Sequence, residues 1–357
     1  MGHERVPSGG GLMDRIRTLL RSTVAGPLFV MLLVAAVVSV TTDRFLLRQN
    51  LMNVWLQVSI VAIVAIGATI VILTAQIDLS SGSLAALSSV LLAGLIKKAG
   101  LPEWLAMLLI ILMGGALGLV NGFFSSYGRI PSFIFTLGTL AVFRGLSFLY
   151  TGGTPIFSVS PRLLPIFYGR VIGLPLPFVY VVVLYAMAWA YLRYTPGGRG
   201  IYAVGGNESA ARLSGIKVNR VRTKAFVIAG VASALGGVLL TTRLNSGSPN
   251  YGQGLELMAI ASSVIGGTSL FGGVGNVVAT LFGALTIVIV QNALNLHGVS
   301  SAWQQIALGA IIALAVGVDM WRTEISRLAV WGWSRARRAP RRVPTTQREE
   351  EHAHSPS

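Results

Sequence analysis

Cysteine is missing from all 357 residues. That excludes a disulfide framework, a thiolate nucleophile and a Cys-ligated metal. Histidine is almost as scarce: of His3, His297, His352 and His354, three lie in the tails, so a His-rich metal site is excluded in practice. The phosphate-binding pattern G-x-x-x-x-G-K-[ST] does not occur, and "GGTSLFGG" at 266–273 lacks its Lys-Ser/Thr ending. The chain therefore does not bind ATP by that route. Neither H-E-x-x-H nor a G-x-S-x-G elbow is present. Acids are few, 12 against 28 Lys and Arg. Those within apolar stretches, Asp78, Glu256 and Asp319, are far apart in sequence, which disfavours an intramembrane enzyme built on paired carboxylates. Asp319, beside Trp321 and Arg322, marks a membrane interface instead.

What fills the chain is apolar: 53% hydrophobic residues, 11% charged and a mean hydropathy of +0.71. Soluble domains carry roughly a quarter charged residues. This is the composition of an all-α polytopic membrane protein. Candidate spans lie at about 27–42, 54–76, 82–97, 103–125, 132–150, 175–193, 223–242, 255–268, 276–296 and 303–321. Residues 82–97 and 255–268 fall short of the roughly 20 residues a crossing helix needs. They are expected to be tilted, half-buried or broken helices sheltered by neighbours.

The net charge is +16, and its placement speaks for a membrane and against nucleic acid. Arg5, Arg15, Arg17 and Arg21 precede the first span, and Arg322, Arg327, Arg335, Arg337, Arg338, Arg341, Arg342 and Arg348 follow the last. A third group is Arg199, Arg212, Lys217, Arg220, Arg222 and Lys224. Cationic loops stay on the cytoplasmic side and attract anionic lipid. Ten spans satisfy all three groups: both termini and 194–222 are cytoplasmic, and the Gly/Pro-rich loop 151–174, with Arg162 and Arg170, is external. The first span reads as uncleaved. Residues 1–26 form a basic, partly disordered segment, 27–321 the transmembrane domain, and 322–357 a basic disordered tail. Five spans plus five suggest inverted halves, but the polar breaks at 76–82 and 268–276 do not correspond in an inverted register.

Small residues recur within spans, as in "GGALGLVNG" (114–122), "AGVASALGG" (229–237) and "GGTSLFGGVGN" (266–276), and indicate a compact bundle. In "VILTAQIDLSSGSLAALSSV", Asp78 lies between two apolar segments, where a carboxylate costs roughly 2.5–3.5 kcal/mol. It brackets the following helix near the cytoplasmic face, lines a gate or path, or joins an ion pair. Ser80 or Ser81 is a candidate cap and Gly82 follows. Glu256 starts the short apolar helix at 255–268, on the external side, whose glycine-rich sequel includes Gly266 and Gly267; it suits the helix dipole or a polar entry for a neutral polyhydroxylated solute. Gln291, Asn292 and Asn295 are amides that bond sugar hydroxyls or, as the first choice, neighbouring helices.

"AVGGNESAARLSGIKV" (203–218) encodes one short helix outside the membrane. Asn207 is a good N-cap. Glu208 and Arg212 suit the two dipole ends and sit i, i+4 in the favourable order. Gly215 can take the left-handed turn that ends the helix at about 214. Its exposed side, Ser209, Ala210, Ala211, Leu213 and Ser214, is small, as a helix docking into another protein's groove would be.

These stretches carry a resemblance. "GGNESAARLSGIKV" resembles the coupling segment of ribose-type ABC sugar importer permeases, in the branched-chain amino acid/ribose permease family. "VILTAQIDLSSGSLAAL", "LELMAIASSVIGGTSLFGGVGNVVATLFGAL" and "NLHGVSSAWQQIALGAIIALAV" are similar to further family stretches, in family order over about 45–320. Two positions depart: Ala75-Gln76 stands where small residues are usual, and Met258 where an acid is common. The resemblance implies a permease subunit of a homodimer in a bacterial inner membrane, with two ABC ATPases that hold ATP and magnesium and an extracytoplasmic sugar-binding protein. No cofactor would be bound by this chain. Asn207 to Gly215 would couple to the ATPase. Asp78, Ser80, Ser81, Gly82, Glu256, Gly266, Gly267, Asn292 and Asn295 would shape the path or gate for a ribose- or xylose-like sugar. A branched-chain amino acid permease and a stand-alone secondary transporter are the alternatives.

Overall fold

The computed structural model describes residues 23–317. The N-terminal basic cluster, Asp319, the end of the last candidate span and the C-terminal tail lie outside them. Each of the ten apolar segments holds a helix among its described residues: α1 Ala25–Thr41, α2 Arg48–Leu73, α3 Ser81–Lys97, α4 Glu103–Ser126 and α5 Ser132–Thr151 come first. After a short helix α6 (Leu164–Tyr168) follow α7 Leu176–Tyr194, α8 Pro196–Gly206, α9 Glu208–Leu213, α10 Val218–Leu244, α11 Leu255–Ile265, α12 Val277–Leu296 and α13 Ser301–Gly317. Among the described residues six helices are long and apolar enough to cross a membrane; α1, α3, α11 and α13 are shorter.

Burial ranks the helices. The α2 segment is buried almost throughout and forms the centre, with α10 and α12 largely buried beside it. In contrast α4, α5 and α7 keep most of their surface on the outside of the bundle. The glycine pattern of 114–122 explains the closest helix pair, α4 with α10. An added Cβ at Gly114 would lie 2.6 Å from the Gly230 carbonyl oxygen, and one at Gly122 would lie 2.8 Å from Thr223 Cα. Side chains there would force the backbones apart.

Contacts sort the loops onto two faces. Asn276, before α12, bonds Thr23, before α1, at 3.2 Å, and the Gly273 amide donates to the Leu73 carbonyl at the end of α2 at 3.0 Å. Gly205, at the end of α8, packs on that same carbonyl. On the opposite face, Asn50 and Asn292 exchange amide hydrogen bonds at 2.9 Å, and Ser160 donates to Glu103 at 2.7 Å. The loop 151–174 is ordered: β1 (Ile156–Phe157) pairs antiparallel with β4 (Ser246–Gly247), and β2 (Arg170–Val171) with β3 (Leu174–Pro175). The side chain of Arg162 is 84% exposed and lies 3.9 Å from Glu103.

The inverted register, sought at 268–276, falls elsewhere. In the first half the long α2 leads through the non-helical residues 74–80 into the short α3. In the second half the long α10 leads through residues 245–254 into the short α11. Since α2 ends on the face where α10 begins, the two units run in opposite directions. The corresponding breaks are thus 74–80 and 245–254, an arrangement that inverted-repeat transporters share.

Candidate functional site

The starts of α3 and α11 meet. Gly82, in the first turn of α3, touches Gly252 and Glu256: a Cβ there would collide with the Glu256 carboxylate and the Gly252 carbonyl oxygen. Gly252 has φ +66°, and a Cβ on it would lie 2.5 Å from the Gly82 carbonyl oxygen. Two glycines therefore let the first turn of α3 and the non-helical segment before α11 cross at contact distance.

Non-helical backbone inside a membrane must find partners in protein. The 74–80 segment finds them on α5. The amide of Ile77 donates to Ser132 Oγ at 3.0 Å, and that of Leu79 donates to Thr136 Oγ1 at 3.1 Å. Asp78 accepts from the amide and the hydroxyl of Ser80 at 2.8 and 2.7 Å. It brackets the start of α3, and neither Ser80 nor Ser81 caps the helix with its side chain. Asn121 of α4 donates to Ser80 Oγ at 2.8 Å. Asp78, Ser80, Ser81 and Asn121 are all buried, and Ser81 Oγ has no hydrogen-bond partner among the described residues.

The 248–254 segment is held by Arg144 of α5. Its Nη1 donates to the carbonyls of Pro249 at 2.5 Å and Tyr251 at 2.8 Å. Glu256 lies within electrostatic reach of both Arg144 and Asp78, and its Oε2 is buried without a hydrogen bond among the described residues. Two carboxylates, one guanidinium and two helix N-termini thus gather at one place. Arg144 and Asn121 carried no motif: each is a single polar residue in an apolar run.

The other predicted residues lie apart from this cluster. Gly266 and Gly267 end α11, where a Cβ on Gly266 would stand 2.6 Å from Thr280 Cα of α12. Asn292 bonds Asn50 across two helices, and Asn295 accepts from Gln304 at 2.9 Å. Met258, the departure noted above, accepts from Gln291 at 3.1 Å through sulfur.

The short helix α9 forms as its residues dictate. Asn207 Oδ1 accepts from the Ala210 amide at 2.9 Å, and Gly215 takes φ +81°. Glu208 receives Arg212 and, from α10, Arg222, each at 2.8 Å. The hydrogen bond from Arg212 and the charge of Arg222 outweigh partial burial and hold the Glu208 carboxyl below the usual range. It is therefore charged at neutral pH and ties α9 to α10. Exposure corrects one detail: Ser209, Ala210 and Leu213 face out, but Ala211 is buried against Val204 and Val218. The helix ends at Leu213, one residue short of the expected 214. A cavity of about 500 Å³ opens behind it, lined by Gln76, Ser125, Arg129, Glu208 and Arg222, among others.

Residues 50–316 match the family described as branched-chain amino acid transport system / permease component. The chain belongs to this family of membrane permeases. Among its relatives in the family, the ribose import permease protein RbsC of Bacillus subtilis is 44% identical over 296 residues, 82% of this chain and 92% of that protein. RbsC of Escherichia coli K12 is 41% identical over the same shares. The D-allose transport system permease protein AlsC of E. coli K12 is 36% identical, over 82% of this chain and 90% of its own. The L-arabinose ABC transporter permease protein AraH of Azospirillum brasilense is 35% identical, over 84% and 88%. No solved structure matches the chain.

Proposed function

We propose that this chain is the membrane-spanning subunit of an ABC importer that carries a monosaccharide into the cell. It is a transport subunit and not an enzyme; ATP hydrolysis resides in a separate ATPase. The observation that carries this reading is the match to permeases named for ribose, D-allose and L-arabinose over four-fifths of the chain. These solutes are neutral and polyhydroxylated, which favours a sugar over a branched-chain amino acid.

Both termini and α9 lie in the cytoplasm of a bacterium, and the ten helical segments cross its inner membrane. Two copies form the permease, with the outward face of α5 available to the second: an added Cβ at Gly138 or Gly145 meets nothing within this chain. An ATPase, holding ATP and magnesium, grips α9 on each copy. A sugar-binding protein docks on the face of loop 151–174. Asp78, Ser80, Ser81, Gly82 and Glu256 gate the path where the starts of α3 and α11 meet. Gly266 and Gly267 shape the end of α11 that moves against α12, while Asn292 and Asn295 brace the external ends of the helices. The chain itself needs no cofactor.

Uptake through the assembled transporter, with its own binding protein, tests the solute. A panel of ribose, xylose, arabinose, allose and leucine should give transport of one of the sugars and none of leucine. Leucine uptake without sugar uptake would overturn the assignment.

A further inference from the structure

A second cavity, of about 180 Å³, lies where α7, α8 and the start of α10 meet. Its floor is apolar, made by Ile201, Val221 and the ring of Tyr191. Its rim is cationic, made by Lys217, Arg220 and Lys224. All three cations are exposed, and none takes part in the ion pairs found among the described residues. Three unpaired like charges within two helical turns repel one another, and an anion between them relieves that repulsion.

The depth of the cavity says which anion. Tyr191 stands on α7 between Trp189 and Tyr194, which are 42% and 65% exposed and pack edge to face at 5.4 Å. Exposed Trp and Tyr near a span end sit at the headgroup level of a bilayer. The cavity opens at that level, on the face that carries α9. A cationic rim over an apolar floor fits a phosphate joined to an apolar body, and Lys and Arg stems can lie along such a body with their charges outward. We infer that this cavity seats the phosphate headgroup of an anionic phospholipid in the leaflet next to α9. The neighbouring α9 shares a small apolar cluster with Val218 and Ile216, which flank Lys217. A bound lipid would therefore brace the base of the coupling helix. The inference stands on the membrane boundary alone and holds whichever solute the chain carries.

The test uses the purified full chain in detergent, with bound lipid read by native mass spectrometry and stability by thermal unfolding. Phosphatidylglycerol should bind and raise the melting temperature above that with equimolar phosphatidylcholine, and inorganic phosphate should do neither. With roughly five-fold in affinity per cation near an anionic surface, the triple variant K217Q/R220Q/K224Q should bind phosphatidylglycerol about 100-fold more weakly. The control R44Q/R48Q, on the opposite face, should bind it normally. If the triple variant does not insert, R220Q alone should show about a five-fold loss. Undiminished phosphatidylglycerol binding in these cavity variants would overturn the site. Equal stabilisation by inorganic phosphate would overturn the lipid as its occupant.

Discussion

Asp78 and Glu256 are distant along the chain and within electrostatic reach of each other in space. Their neighbours in sequence show why each is tolerated alone: one precedes a helix and one begins another. What sequence could not supply is that the starts of α3 and α11 meet, so that Glu256 lies against Gly82, four residues beyond Asp78. Arg144 was hidden for the same reason, as one cation in a long apolar run whose partners are backbone carbonyls of a distant segment. Ala75 offers a test at this scale. It takes φ +58°, a left-handed conformation that costs an L-residue roughly 1–2 kcal/mol. Glycine there would relieve that strain while losing about 0.4–1 kcal/mol through unfolded-chain entropy. A75G should therefore raise stability by up to about 1 kcal/mol, read as a higher melting temperature in detergent. A lower one would show that the Ala75 methyl packs better than its backbone angle costs.

Among the elements, the apolar segments were legible because period and length are written in composition, and α9 because its caps are. Helix α8 was not. Its opening "PGGRG" reads as a loop, yet Pro196 suits the first helical turn and Thr195 caps it, accepting from the Gly198 amide at 3.0 Å. The turn-rich segment 245–254 was equally hidden: its hydrogen bonds go to Arg144 and to loop 151–174, neither of which sequence proximity suggests. Burial within α9 separates two otherwise similar alanines. A210W projects from the exposed side, so it should leave insertion and melting temperature intact while abolishing uptake and ATPase stimulation. A211W must displace Val204 and Val218, and overpacking of this kind costs typically 1–3 kcal/mol. It should lower the melting temperature as well. Normal uptake by A210W would remove α9 from the docking surface.

At the scale of the whole molecule, two oppositely directed units bring their broken helices together in the middle and leave one capped stub, α9, outside. The orientation of that stub is open to a clean label because cysteine is otherwise absent. S209C should react with a membrane-impermeant maleimide in inverted vesicles and not in intact cells; labelling from outside would reverse the topology. The central claim is that this permease has no motor of its own and that α9 is where one takes hold. Its most direct test is radiolabelled sugar uptake into proteoliposomes, with the permease alone or joined by its ATPase and binding protein, with and without ATP. Uptake is expected only in the complete, ATP-supplied system; accumulation by the permease alone, without nucleotide, would contradict the claim.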